Sequence, residues 1–247
     1  MLLYAAPLGI LAILFSNVWS SWFFQDDFSW LLLNQELSVD GWWHVLTRPM
    51  AQGTFRPLSE RAQFMVLRAL FDLDATPHHV LAFLTQFANL LLLNIIARKL
   101  SGSMWIGFWA AALWSLNSAL TLPLGWPSAY SQIMCGLFLL GALRLLIAYA
   151  ETGQRRYNIA QWTVFLLGFG VQELNVVYPA IAAAYALLFA RPFLRGTFAL
   201  FVPSILYTAL HGQFAPKASQ GVYGLSIGPS IAVTLGKYSV MSLWPDG

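Results

Sequence analysis

From Leu2 to Phe24 the chain carries no charged side chain. About 20 mostly apolar residues suffice to cross a bilayer as a helix, so this run predicts a first membrane span. It has no basic lead-in and no small-residue cleavage pattern after it, so it reads as a retained span rather than a secretory leader. The same criterion predicts spans near 78–97, 104–122, 128–149, 157–172, 174–190 and 196–212, and a weaker one at 228–244 that contains Lys237. Turn-forming residues separate them: Ser101-Gly102-Ser103, Leu122-Pro123, Trp126-Pro127, Glu151-Thr152-Gly153 and Arg191-Pro192. The pattern therefore predicts an all-α, polytopic transmembrane protein of about seven to eight spans, with residues 1–247 forming one domain.

Residues 23–77 break this pattern. They hold seven of the ten acidic residues (Asp26, Asp27, Glu36, Asp40, Glu60, Asp72 and Asp74) together with Arg48, Arg56, Arg61 and Arg68. Within them, Phe28–Leu37 and Pro57–Leu73 alternate apolar and polar positions at helical spacing. Phe64, Leu67 and Phe71 line one stripe, with Arg61 and Arg68 along a neighbouring one. Such helices are expected to lie along a membrane surface rather than cross it. Pro57 suits the first turn of the second helix, where a missing N–H costs nothing.

Composition narrows the class. The chain is 58% hydrophobic and 9% charged, with a mean hydropathy of +0.64, whereas soluble domains carry about 25% charged residues. One cysteine, Cys135, excludes an intrachain disulfide and a thiolate metal site. The net charge of +3 says less than its distribution. Arg98 and Lys99, Arg155 and Arg156, and Arg191 and Arg195 fall in short loops expected on one side, with Arg144 able to snorkel there. The short loops of the other side offer only Lys217. Positive charge marks the cytoplasmic side, so the 23–77 loop is expected to face a periplasm or lumen.

Four features on that outer side carry candidate chemistry. Asp26-Asp27 stand at the end of the first span. Asp27 suffices to cap the Phe28–Leu37 helix, which leaves its like-charged neighbour unexplained, and ionisable residues at a membrane boundary point to function. In FRPLSER, residues 55–61, Arg56 can pair with Glu60 one turn away, worth only about 0.3–0.5 kcal/mol. Alternatively Arg56 or Arg61 can bind a phosphate through its planar fork. His78-His79 open the next span, as interfacial anchors or as part of a polar site. Glu173, in GVQELNVVYP, sits in a turn so short that its side chain is expected to enter a shared outer cavity.

The order of these elements resembles the C-type superfamily of membrane glycosyltransferases, which use polyprenyl- or dolichyl-phosphate sugars. The protein O-mannosyltransferase-like and lipid A aminoarabinose transferase-like branches are the most similar. QDDFSWLLLNQ, FRPLSER, TPHHVLAFLTQFANLLLLNIIARKLSGS and VQELNVVYP carry the likeness, which covers most of residues 1–190. The resemblance implies that Asp26 is a general base, assisted by Asp27. It further implies that Arg56 and Arg61, with His78 or His79, stabilise the leaving lipid phosphate, and that Glu173 lines the substrate cavity. The donor is expected to be a polyprenyl-phosphate sugar and the acceptor a protein, lipid or glycan, met at a bacterial inner membrane or endoplasmic reticulum. No nucleotide, redox cofactor or nucleic acid is expected. A divalent cation held by the two aspartates with waters is left open. Residues 117–123 lack the acid and histidine often found in the second outer loop of the mannosyltransferase-like proteins. The family is also generally longer, so its C-terminal part is expected to be absent here, as in a fragment or shortened member. The rival readings are a transporter or flippase of a lipid-linked sugar, marked by polar residues near the midplane, and a non-catalytic scaffold.

Overall fold

The computed structural model describes residues 2–47, 54–214, 232–234 and 236–237, with side chains placed for all of these except Leu2, 34–40 and Phe214. Among the described residues the chain is all-helical. Twelve α-helices are joined by short 3-10 turns and one π-helical turn. They are α1 (Leu2–Leu14), α2 (Asp27–Leu31), α3 (Leu33–Thr47), α4 (Gln63–Phe71), α5 (Thr76–Ser101), α6 (Met104–Ser115), α7 (Thr121–Gly125), α8 (Ser131–Thr152), α9 (Arg155–Gly168), α10 (Tyr178–Phe189), α11 (Leu194–Thr197) and α12 (Phe201–Phe214).

Among the described residues three helical stretches are long and apolar enough to cross a membrane: Thr76–Ser101, Pro127–Thr152 and Arg191–Gln213. Leu3–Leu14, Met104–Ser115 and Glu173–Phe189 are apolar but shorter. The shortening has local causes. The α-helix of the expected first span ends at Leu14 and passes into a 3-10 turn at Ser16–Ser20. There the Ser20 hydroxyl donates to Asn17 O at 2.7 Å and the Ser21 hydroxyl to Val18 O at 2.6 Å. Such side-chain bonds let serine compete with the helix ladder. In the expected 104–122 span, α6 stops at Ser115, and the Asn117 side chain accepts the Ala119 N–H at 2.9 Å to cap a separate turn. The expected span at 228–244 lies largely outside the described residues, as does Lys217.

The bundle has two chemically different ends. At the basic end, Arg98 Nη1 donates to the Tyr4 hydroxyl at 2.7 Å, Asn94 Nδ2 to Leu3 O at 3.1 Å, and Lys99 pairs with Glu151 at 2.8 Å. The opposite end, here the aspartate end, gathers the 18–28 segment, the 56–62 turn, the start of α5, residues 118–130 and the 168–178 turn. Between the ends, small residues let helices approach closely, as expected where packing rather than water exclusion drives association. A Cβ on Gly107 would stand 2.7 Å from Asn94 O, so α6 lies almost against the α5 backbone. A first apolar cluster joins Leu11, Phe15, Phe83, Leu90, Ala111 and Ile133; a second joins Ile96, Leu146, Phe165, Tyr178, Ala182 and Leu200.

A smaller third cluster, with Phe23, Trp30, Leu33, Val45, Phe64 and Met65, supports the surface layer α2–α4. Its helices differ from expectation. The predicted 28–37 helix is two helices, and α3 is broken at Gly41, where φ is 75°. In the 57–73 stretch the buried apolar positions are Phe64 and Met65 rather than the Phe64–Leu67–Phe71 stripe, and Phe71 is exposed. Trp22, Phe28, Trp42, Trp43, Val66 and Leu70 are exposed too, an apolar surface suited to lying in a lipid interface.

The 168–178 turn depends on one glycine. A Cβ at Gly168 would come within 2.6 Å of Asn175 Cγ. Asn175 is buried, and its Nδ2 donates to Phe165 O at 2.8 Å, serving a carbonyl in the last turn of α9. Gly168→Ala must displace this amide, and overpacking of this kind costs about 1–3 kcal/mol. The expected result is a lowered thermal unfolding midpoint in detergent; an unchanged midpoint would disprove the contact.

Candidate functional site

At the aspartate end the two adjacent carboxylates have opposite environments. Asp27 is fully buried. Its Oδ2 accepts the Phe24 N–H at 3.1 Å, and its Oδ1 accepts the Ser128 N–H at 2.8 Å and the Ser128 hydroxyl. Burial raises its pKa above the ordinary 3.8; the Ser128 and Phe24 donors pull it down, and the neighbouring Asp26 charge pushes it up. Asp26 is exposed. Gln25, just before it, has φ of 51°. A non-glycine residue in the left-handed region costs on the order of 1–3 kcal/mol and persists only where the surroundings impose it. The anchored Asp27 does so, and Asp26 is turned outward.

The expected capping role for Asp27 is therefore corrected. The helix begins at Asp27 itself, Asp26 occupies the cap position, and its side chain makes no capping bond. Asp27 instead fastens the end of the first segment to Ser128, 101 residues away. The second outer region, without acid or histidine, contributes hydroxyl and backbone groups in their place.

A second feature is built where the π-helical turn Pro57–Ala62 meets the 168–173 turn. Leu58 N–H donates to Gly170 O at 2.9 Å and the Ser59 hydroxyl to Val171 O at 2.6 Å. This seats Arg56 between two carboxylates. Its Nε donates to both Glu173 oxygens at 3.0 and 2.8 Å, its Nη2 to Glu173 at 2.6 Å, and its Nη1 to Glu60 at 2.6 Å. The expected Arg56–Glu60 pair is present, with Glu173 as a third member. Glu60 is 5% exposed and has its pKa raised by burial against the lowering effect of Arg56. With both glutamates ionised the group carries one net negative charge. The five N–H donors of a guanidinium leave Arg56 one hydrogen on each terminal nitrogen for another ligand.

The remaining candidates are enclosed. Arg61 is fully buried; its Nη1 donates to Leu46 O at 2.6 Å and its Nη2 to Thr54 O at 3.1 Å, with the guanidinium 5.5 Å from the Phe55 ring centre. His78 Nδ1 lies 2.8 Å from the Gln63 amide nitrogen, and its ring packs edge-on to Phe23. The His79 nitrogens face Leu124 O and Ser21 O, each at 3.1 Å. As placed, these three side chains brace the aspartate end from within and do not reach its surface.

An open groove of about 400 Å³ runs beside the aspartate corner, lined by Asn17, Ser21, Phe24, Thr121, Leu122 and Trp126 among others. Phe24 and Trp126 stack at 5.1 Å between ring centres on its wall. Sequence reasoning missed Ser128, whose only signal is a hydroxyl after Trp126-Pro127, and Gln63, which reads as one more polar position on a surface helix. Among the described residues no group of three or more His, Cys, Asp or Glu side chains is placed to hold a metal ion. No family model, curated protein or solved structure matches the chain.

Proposed function

We propose that the protein is a multi-pass membrane glycosyltransferase that moves a sugar from a polyprenyl-phosphate carrier to an acceptor on the non-cytoplasmic face. The observation that carries the reading is the division of labour between adjacent carboxylates. Asp27 accepts from Phe24 and Ser128 and holds the corner, whereas Asp26 stands exposed, two residues along the chain from Phe24, which lines the groove. In the reaction, an acceptor hydroxyl or amine attacks the anomeric carbon, the bond from that carbon to the phosphate oxygen breaks, and Asp26 takes the acceptor's proton. The polyprenyl phosphate departs as an anion. Arg56 offers it the two hydrogens not engaged by Glu60 and Glu173, and Glu173 positions Arg56. The enclosed Arg61, His78 and His79 act by holding this end in shape. The deciding experiment incubates membranes containing the protein with labelled polyprenyl-phosphate sugars and follows the label into protein, lipid and glycan fractions. Label entering none of them overturns the reading.

The reading includes about seven to eight spans, the shorter apolar helices crossing with the longer ones, and the aspartate end facing a periplasm or lumen. Supporting it, the Arg and Lys side chains of the short connections, Arg98, Lys99, Arg155, Arg156, Arg191 and Arg195, lie at the opposite end. Ser29 and Ser101 are both exposed and belong to opposite ends. In a Cys135→Ala background, an impermeant thiol reagent added outside is expected to label a cysteine at 29 and spare one at 101. Equal labelling would disprove the orientation.

A second reading, translocation of a lipid-linked sugar, rests on one specific observation. Gln86 and Asn89 lie mid-helix in α5, both fully buried, and Gln86 Nε2 and Asn89 Oδ1 have no hydrogen-bond partner among the described residues. Polar side chains at that depth often mark a transport path. Movement of labelled lipid across sealed vesicles without transfer to an acceptor would select this reading.

A further inference from the structure

At the basic end, between α1, α5, the turn after α5, and α8, lies an open pocket of about 390 Å³ lined by Tyr4, Ile95, Arg98, Lys99, Gly102 and Arg144. Three cations from two helices converge on it. Among the described residues the salt bridge of Glu151 is with Lys99, at 2.8 Å, which leaves two guanidinium charges in excess there. Arg98 is oriented by its bond to the Tyr4 hydroxyl at 2.7 Å. Arg144 Nη1 is shielded from solvent and has no hydrogen-bond partner among the described residues. A shielded cationic donor without an acceptor is costly, and a phosphate oxygen is the acceptor a guanidinium fork fits best.

We propose that this pocket binds the phosphodiester headgroup of an anionic phospholipid, at the end of the bundle opposite the candidate catalytic corner. The shared chemistry is a phosphate group, and the surroundings favour the lipid-borne form. Ile95, 38% exposed, lines the same pocket, and Met104 and Trp105 are exposed at the start of α6. These apolar surfaces offer a bed for acyl chains where a free phosphate would find none. A zwitterionic lipid brings its own ammonium into a site already carrying two unneutralised guanidinium charges, so the pocket discriminates by headgroup charge.

The test uses the full chain purified in a mild detergent, titrated with phosphatidylglycerol or phosphatidylcholine of identical acyl chains, with bound lipid counted by native mass spectrometry. Phosphatidylglycerol is expected to bind at least roughly tenfold more tightly. Arg98→Gln combined with Arg144→Gln is expected to abolish that preference. Arg155→Gln combined with Arg156→Gln, which removes the same charge at the same end but outside the pocket, is expected to keep it. Should the first pair fold poorly, Arg144→Lys, which keeps the charge and loses the fork, is expected to weaken the preference at least threefold. Equal affinity for both lipids, or the preference lost equally in the 155/156 pair, overturns the proposal. So does inorganic phosphate or glycerol phosphate displacing the lipid at equal concentration, because the site would then serve a soluble anion.

Discussion

Asp26→Asn is expected to lower sugar transfer by roughly 10²–10⁴-fold while leaving the protein folded, because the amide keeps the shape of the side chain and cannot take the acceptor's proton. Among the described residues the exposed carboxylate makes no capping hydrogen bond to the helix it precedes, so the variant's unfolding midpoint should match the wild type. Asp27→Asn should behave in the opposite way. The Phe24 N–H and both Ser128 donors now point at carboxylate oxygens. An amide presents an NH2 to at least one of them, leaving a buried donor facing a donor at a cost of about 1–3 kcal/mol. The expected signature is a lowered unfolding midpoint, with activity falling in step with folded protein. The two variants should be compared in turnover per folded molecule. Wild-type turnover in Asp26→Asn removes it as the base, and an unshifted midpoint in Asp27→Asn removes the anchor.

Arg56→Ala is expected to destabilise the protein by about 3 kcal/mol near neutral pH, since breaking one side of a largely buried ion group leaves its partners uncompensated. Glu60 and Glu173 would then face each other without the cation that separates them. The pH dependence has a definite sign. Burial holds the Glu60 carboxyl above its ordinary pKa of 4.5 even with Arg56 beside it. A carboxyl with a raised folded-state pKa binds its proton more tightly in the folded protein. Its contribution to stability therefore grows as pH falls toward the ordinary value and shrinks as pH rises through the folded one. Removing Arg56 takes away the lowering influence, so the deficit of the variant should narrow in acid and widen toward alkaline pH. Glu173→Gln in the same background is expected to recover part of the loss. A deficit that is independent of pH, with no recovery, would show that Arg56 contributes only packing.

Much of this architecture was legible in the sequence. The predominantly apolar stretch of α5 and the basic pair in its last turn marked one long helix. The turn residues near Gly102 and Gly153 fixed where helices stop, and both glycines adopt the left-handed conformation at helix C-termini. The shortness of α1 was missed because 2–24 holds no charge, although Ser16, Asn17, Ser20 and Ser21 make the residues after Leu14 more polar than those before it. Beyond its end the Ser20 and Ser21 hydroxyls bond back to Asn17 O and Val18 O in the 3-10 turn, contacts that hydropathy does not register. At the site, i,i+4 spacing exposed Arg56–Glu60, whereas Glu173 could be placed only as facing a shared cavity, since nothing local encodes a partner 117 residues away. The histidines misled for a related reason. Adjacent polar residues at a boundary look solvent-facing in one dimension, yet His78 and His79 both turn inward, to Gln63 and to the Ser21 and Leu124 carbonyls.

The fastening of the 56–60 turn to the 168–173 turn also sets a timetable for biogenesis. The first partner leaves the ribosome more than a hundred residues before the second, which at 5–20 residues per second is a gap of roughly 6–20 s. During that interval Arg56 has Glu60 as its carboxylate partner without Glu173, and the 56–60 turn lacks its fastening to the 168–173 turn. The aspartate end is therefore among the last parts of the molecule to close, after α8 and α9 are in place. A nascent chain arrested before Gly168 should leave a cysteine at position 59 open to labelling, and one arrested beyond Phe214 should protect it.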